Sequence, residues 1–308
     1  MQTAYITHPE FLKHDMGPDH PECPARIYAV KDQLIASGLW DYLSHYEAPK
    51  VSKTILSLAH TEEYIEWVFS QSPKSGLIDL DGDTLMNPYT LDAALYATGA
   101  VVKGVDLVMA KEVANAFCNI RPPGHHAKRA GASGFCIFNN VAVAATYALE
   151  HHGLDRIAIA DFDVHHGDGT EDIFHDDPRV MMCSTFQHPY YPYCGADSGN
   201  DHMINVPLAS GSTSVQFREA VAQHWLPALE HFQPQMIFIS AGFDAHWEDD
   251  MSGILLHEED YFWITEKLKA VAQRHANNRI VSALEGGYAL HALGRCAMLH
   301  IKSLSGLF

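Results

Sequence analysis

A chain of 308 residues with 47% apolar and 19% charged residues can bury a large core, which excludes a disordered or purely surface-adsorbing protein. Its formal net charge of −18 repels phosphate backbones and anionic lipid surfaces, so neither nucleic acid nor membrane is expected as a partner. The start of the chain lacks a basic region followed by an apolar stretch, no window reaches the about 18 apolar residues of a membrane span, and the six cysteines form no C-x-x-C pair; a reducing, cytoplasmic setting is expected.

Thr3 to Thr7 predicts a first strand, followed by a proline-rich loop that forbids regular structure up to Pro24. From Ala25 to Gly38 the apolar positions Ile27, Val30, Leu34 and Ile35 predict an amphipathic helix, and Thr61 opens another with acids in its first turn. Leu77 to Pro88 is expected to be a solvated rim carrying Asp79, Asp81 and Asp83. Thr90 to Ala110, rich in Ala and Val, predicts a buried helix. Val113 to Ile120 is an inner strand delivering the chain into Arg121-Pro122-Pro123-Gly124-His125-His126-Ala127.

A turn-rich stretch from Gly131 to Asn140 and a helix from Val141 to Glu150 lead to the apolar run Arg156 to Ala160, which predicts a buried parallel strand. Beyond it comes Asp161-Phe162-Asp163-Val164-His165-His166-Gly167-Asp168-Gly169, with three acids and two histidines in nine residues. Extended backbone from 161 to 165 places Asp161, Asp163 and His165 on one side, a donor set suited to a divalent transition metal. Strands follow at 180–185, 203–206, 235–240 and 279–284, with helices at about 214–231, 258–276 and 289–304. This alternation predicts one α/β domain over 1–308, a mostly parallel sheet with helices on both faces.

Four strands end in polar or glycine-rich loops: at His125-His126, at Asp161 to Asp168, at Asp244 and at Tyr288. Any one of them has an ordinary structural explanation as a turn or cap. In a parallel sheet all four ends share an edge, where ligands bind. Asp163, His165 and Asp244 then supply three ligands and leave a position open for substrate, the pattern of a catalytic zinc. Two anionic ligands blunt the acidity of the ion's water, so a separate base is required. His125 or His126 can serve, with Asp161 and Asp168 as available partners. Tyr288, on a glycine turn, is the candidate donor to the developing oxyanion. Together these describe hydrolysis of an amide or ester.

The stretches Arg121 to Ala127, Gly134 to Asn140, Asp161 to Thr170, Ser240 to His246 and Leu284 to Tyr288 resemble, in order, the zinc-dependent histone deacetylase and acetylpolyamine amidohydrolase superfamily, most closely its class II branch and bacterial members. The resemblance implies an arginase-like three-layer fold around an eight-stranded parallel sheet, and removal of acetyl or other short acyl groups from lysine side chains. It makes Asp163, His165 and Asp244 the zinc ligands, His126 the general base and acid, and His125 an electrostatic assistant, with Asp161 and Asp168 paired to the two histidines. Tyr288 would polarise the acyl carbonyl. Gly134 and Phe135 match one wall of a narrow acyl-lysine tunnel, Tyr191 the opposite wall, and Arg26 an arginine beside an acetate channel. A structural potassium would use Asp161 with Ser184 and Thr185. Met251 stands where a polyamine-selective relative carries an acid, which favours acetyl-lysine. The neighbouring Glu248, Asp249 and Asp250 keep acetylated polyamines as an alternative substrate. An esterase or thioesterase, or a non-catalytic acyl-lysine binding module, are the other readings. An arginase-type two-metal site is disfavoured by Gly167 and His246.

Overall fold

The structure is a computed structural model and describes residues 2–307; Met1 and Phe308, the ends of the expected domain, lie outside the described residues. Strands β1 (Thr3–Thr7), β2 (Ser44–Glu47), β5 (Asn115–Cys118), β6 (Ile157–Asp161), β7 (Val180–Gln187), β8 (Met203–Leu208), β9 (Met236–Ala241) and β10 (Ile280–Leu284) form one sheet, ordered β2-β1-β5-β10-β9-β6-β7-β8. All of its pairings are parallel. The remaining two strands, β3 (Ile78–Asp79) and β4 (Leu85–Met86), make a separate antiparallel hairpin.

Runs such as Ile157-Ala158-Ile159-Ala160 are buried throughout because helices cover both faces of the sheet. Helices α4 (Thr90–Met109) and α5 (Asn140–His152) pack together over β1, β5, β10, β9 and β6 on one face. On the other face α1 (Ala25–Ala36), α10 (Leu290–Ser305) and α9 (Glu258–His275) lie side by side. The expected burial of α4 is extreme at Gly99, where an added Cβ would lie 1.8 Å from the Pro49 carbonyl oxygen. Only glycine lets that connection cross the helix.

Several elements differ from expectation. The loop up to Pro24 is not wholly irregular, since Pro9–Leu12 form a 3-10 turn with proline at its first position, where no N–H is needed. The edge strand β2, Ser-His-Tyr-Glu, alternates between half-buried and exposed and carries too little apolar signal to announce itself. The stretch 77–88 is not only a rim but the β3–β4 hairpin, with Asp79 and Asp81 carboxylates accepting N–H groups across its turn. The helix expected over 214–231 is split into α7 (Ser214–Ala220), a π turn at Val221–Trp225 and α8 (Leu226–Phe232). Pro227 lacks an N–H and its ring crowds the carbonyl of Gln223; the chain widens there, and the Leu226 N–H reaches back to the Val221 carbonyl.

Beneath the sheet, His300 of α10 joins three elements. Its Nδ1 lies 2.6 Å from Thr265 Oγ1 of α9, and its Nε2 lies 2.8 Å from Ser282 Oγ of β10. Its surroundings are otherwise the rings of Phe117, Phe162 and Phe243. Burial pushes this imidazole from 6.5 down to about 3. Below pH 6.5 the unfolded chain takes up a proton that the folded chain refuses. Stability present above that pH is therefore lost as the pH falls toward the folded value, by about 1.4 kcal/mol per pH unit. Urea midpoints between pH 7 and 5 should show a shallower slope for His300→Gln than for the wild type; parallel slopes would contradict this.

Candidate active site

The four loops singled out in the sequence follow β5, β10, β9 and β6, which are the four contiguous strands at the middle of the sheet. Their carboxyl ends deliver the site. After β6 the chain does not stay extended as expected but bends through Asp163, Val164 and His165, a bend held by the Asp163 N–H donating to Asp161 Oδ1 at 3.1 Å. Asp163 Oδ1 in turn accepts the His165 N–H at 2.9 Å and faces His165 Nδ1 at 3.0 Å. From the loop after β9, Asp244 brings Oδ2 to 3.2 Å from the same Nδ1, while its Oδ1 accepts the Val164 N–H at 2.9 Å. The loop after β10 closes the far side, where the Gly286 N–H donates to Asp163 Oδ2 at 2.8 Å.

This cradle fits a metal ion. One donor atom each from Asp163, His165 and Asp244 lies within 4.8 Å of the others, and all three residues are buried. Asp244 Oδ2 is buried with no hydrogen-bond donor. A Cβ at Gly286 would lie 2.1 Å from that oxygen and 2.5 Å from Asp163 Oδ2, so only glycine leaves the space free. Burial lowers the proton affinity of His165, but the hydrogen-bonded Asp163 carboxylate and the Asp244 carboxylate beside it outweigh that and push the imidazole up to about 10. The two carboxylates thus call for a cation between them. Two carboxylates and one imidazole with further space alongside is a donor set that zinc accepts.

Two histidines stand beside the cradle, their ring centroids 4.0 Å apart. His125 Nδ1 meets Asp161 Oδ2 at 3.0 Å, and His126 Nδ1 meets Asp168 Oδ1 at 2.7 Å. Burial works against a charge on His125, yet Asp163 and Asp161 hold it protonated well above its ordinary value. His126 behaves oppositely: burial and then the His125 cation push it down to about 3, leaving it neutral. Asp168 is itself pulled down to about 2, its burial outweighed by His126 and Lys128.

Beyond these groups opens a cavity of ≈ 180 Å³. His126, His165 and Tyr288 reach it from within, Gly134, Phe135 and Tyr191 form its walls, and Met251 and the exposed Asp83 stand at its outer end. The Tyr191 ring meets His126 edge-on at 5.2 Å, and Phe135 meets Tyr288 edge-on at 6.1 Å. Gly134 (φ +54°) and Phe135 (φ +69°) are the central residues of a tight turn closed by hydrogen bonds between Ser133 and Cys136. Two consecutive left-handed residues make a type I′ turn, and a phenylalanine in that conformation is strained. The paired Ser133 and Cys136 hydrogen bonds fix the turn, and with it the ring in the cavity wall, against that strain. Accordingly Phe135→Gly is expected to be more stable than Phe135→Ala by about 1 kcal/mol, the reverse of the usual order. Urea midpoints of the two variants check this, and a more stable alanine variant would remove the strain argument.

Several of the expected residues sit differently from a simple site list. Arg26 is fully buried behind Tyr288, its guanidinium 5.0 Å from the ring centroid, donating to the Gly287 carbonyl at 2.7 Å and to the Glu285 carbonyl. Asp161 and Ser184 are register partners on β6 and β7, with Thr185 next along the strand. The Asp161 oxygens serve His125 and the Asp163 N–H, and Ser184 Oγ lies 3.2 Å from His166 Nδ1, so potassium there rests on the resemblance alone. Of the acids beside Met251, Glu248 is tied to Arg295 at 2.6 Å and Asp249 is buried. Glu248 and Asp250 both face solvent.

Residue types alone did not reveal three further contributors. Lys128 places Nζ 3.0 Å from Asp168 Oδ2, backing the His126 partner. Glu285 is buried behind the histidine loop and accepts the N–H groups of Gly124 at 2.6 Å and His125 at 3.2 Å. Asp83 reaches the cavity because the Phe135 N–H donates to Thr84 Oγ1 at 3.0 Å, docking the β3–β4 hairpin against the wall.

Parallel strands converging on a buried Asp-His-Asp cradle beside a cavity define an arginase-like α/β fold with a candidate metal site at its carboxyl edge. Residues 20–304 match the family profile described as Histone deacetylase domain. A probable deacetylase of Archaeoglobus fulgidus is 38% identical over 298 residues, covering 94% of this chain and 82% of that protein. The polyamine deacetylase HDAC10 of Homo sapiens is 33% identical over 327 residues, covering 99% of this chain and 48% of that protein. The crystal structure of the HDA15 HD domain superposes with a TM-score of 0.93 at 32% identity, over 99% of this chain and 88% of that one. The chain belongs to the histone deacetylase family, in which zinc dependence is general.

Proposed function

We propose that this protein is a zinc-dependent deacetylase that removes acetyl or other short acyl groups from N-acyl-lysine side chains. The observation that carries the reading is the cavity of ≈ 180 Å³ that Phe135, Tyr191 and Met251 line together with His126, His165 and Tyr288. An acyl-lysine side chain is a slim rod with one polar group at its end, and such a cavity suits it.

Asp163, His165 and Asp244 would hold the zinc, which when bound supplies positive charge that acidifies water and polarises a carbonyl. The chain's own residues do the rest. His126 has Nδ1 committed to Asp168, so its Nε2 lone pair is free to accept the proton of the attacking water. As the carbonyl carbon gains its bond to oxygen, the Tyr288 hydroxyl donates to the developing oxyanion. Burial holds that phenol well above its ordinary value, so it remains a donor. His126 then returns the proton to the amine nitrogen as the C–N bond breaks, releasing acetate and free lysine. The His125 cation, paired with Asp161, stabilises the negative charge passing through the site.

Acetylated polyamines are the second reading, and Asp83 favours it, since an exposed carboxylate at the outer end of the cavity can meet a distal ammonium. The apolar Met251 and the engagement of Glu248 and Asp249 elsewhere weigh toward the peptide substrate. Hydrolysis rates on an acetyl-lysine peptide, a longer acyl-lysine peptide, acetylputrescine and acetylspermidine decide between them. Higher kcat/KM on the peptides is expected. A preference for the acetylpolyamines would overturn the lysine assignment.

A further inference from the structure

The segment Glu285 to Ala289 carries Tyr288 on two glycines, and Gly287 adopts φ +117°, a conformation with little intrinsic preference to stay in place. Two buried ions grip this segment from opposite sides. Arg26 donates to the carbonyls of Glu285 and Gly287. Asp249, from the loop after β9, accepts the N–H groups of Tyr288 at 2.6 Å and Ala289 at 2.9 Å with Oδ2. Its Oδ1 accepts the Met251 N–H at 3.0 Å, and its own N–H donates to the His246 carbonyl at 2.8 Å. Asp249 is only 4% exposed, so these bonds are shielded from water, and the three that end on its carboxylate are charge-assisted. Tyr288 and Ala289 also precede helix α10, whose N-cap Ala289 has no side-chain acceptor of its own.

Resting on the deacetylase reading, we infer that Asp249 is a positioning residue for Tyr288. It lies outside the cavity and touches no substrate. Its carboxylate sets where the glycine loop stops, and so where the phenol hydroxyl points, and it ties that placement to Met251 at the cavity's outer end. A plain helix cap would contribute to stability alone. A positioning residue must act on turnover through the Tyr288 hydroxyl.

The test is a double-mutant cycle on the zinc-loaded enzyme with an acetyl-lysine peptide, reading kcat, KM, zinc content and thermal midpoint. Asp249→Ala is expected to lower kcat by about 10- to 100-fold, as for a donor displaced by an ångström or so, with KM and zinc content little changed. In the Tyr288→Phe background the same change should cost less than about twofold in kcat, because the group it positions is already gone. The thermal midpoint should fall equally in both backgrounds. Asp249→Asn, which retains one acceptor oxygen, gives an intermediate loss and serves in place of the alanine variant should that one fail to fold. Equal losses of kcat in both backgrounds, or no loss in the wild-type background, would overturn the role of Asp249 while leaving the deacetylase reading intact. Unchanged turnover of Tyr288→Phe alone would overturn the hydroxyl's role and that of Asp249 with it.

Discussion

Asp244→Ala is expected to release the metal and abolish deacetylation. Asp163 and His165 come from one loop and already contact one another, and Asp244 supplies the third donor from a different strand end. Its Oδ2 has no hydrogen-bond donor among the described residues, so that oxygen is free for a cation and nothing else in the cradle replaces it. Loss of a direct ligand should exceed the about 10- to 100-fold effect typical of groups that merely orient ligands. Zinc content after gel filtration is the readout, with acetate release alongside. The metal-free fold should survive the change, because burial and the neighbouring Asp163 push the Asp244 carboxyl up to about 6, marking it as an unfavourable buried charge when no cation is present. A variant that keeps stoichiometric zinc would remove Asp244 from the ligand set.

Tyr288→Phe should retain zinc and fold normally but lose about 10²- to 10³-fold in kcat, the range of roughly 3–4 kcal/mol found for an oxyanion donor. The hydroxyl faces a carbonyl in the ground state and an oxyanion in the transition state, so KM should move far less than kcat. The ring itself packs against Phe135 and under Arg26, contacts that phenylalanine preserves. Near wild-type turnover would take Tyr288 out of the mechanism.

Much of this site could be read from the chain because its donors sit in short runs directly after apolar strands. Asp163 and His165 are two residues apart, and a local bend, closed by the Asp163 carboxylate accepting the His165 N–H, brings them together rather than an extended run. The meeting of Asp244 and Tyr288 with them followed from a parallel sheet having one carboxyl edge, but not the fact that β5, β10, β9 and β6 are adjacent. Strand order depends on crossovers that local periodicity does not encode. What stayed hidden was of two kinds. Lys128 and Asp249 act through partners 40 and 39 positions away, and a lone lysine or one acid among three carries no mark of its partner. The edge strand β2 is too weakly buried to show an apolar pattern, and at Pro227 the local loss of an N–H and the ring's clash interrupt a helix whose apolar pattern runs on through it. Asp83 is exposed, as a solvated rim should be, but the Phe135 N–H donating to Thr84 Oγ1 brings that rim to the cavity.

The most direct test of the zinc deacetylase claim is a metal titration of chelator-stripped protein, following acetate release from an acetyl-lysine peptide. Activity is expected to return linearly and to saturate at one zinc per chain, with no such return in the Asp244→Ala protein. Saturation only at two metal ions per chain, or full zinc loading without acetate release from the peptide, would contradict the claim.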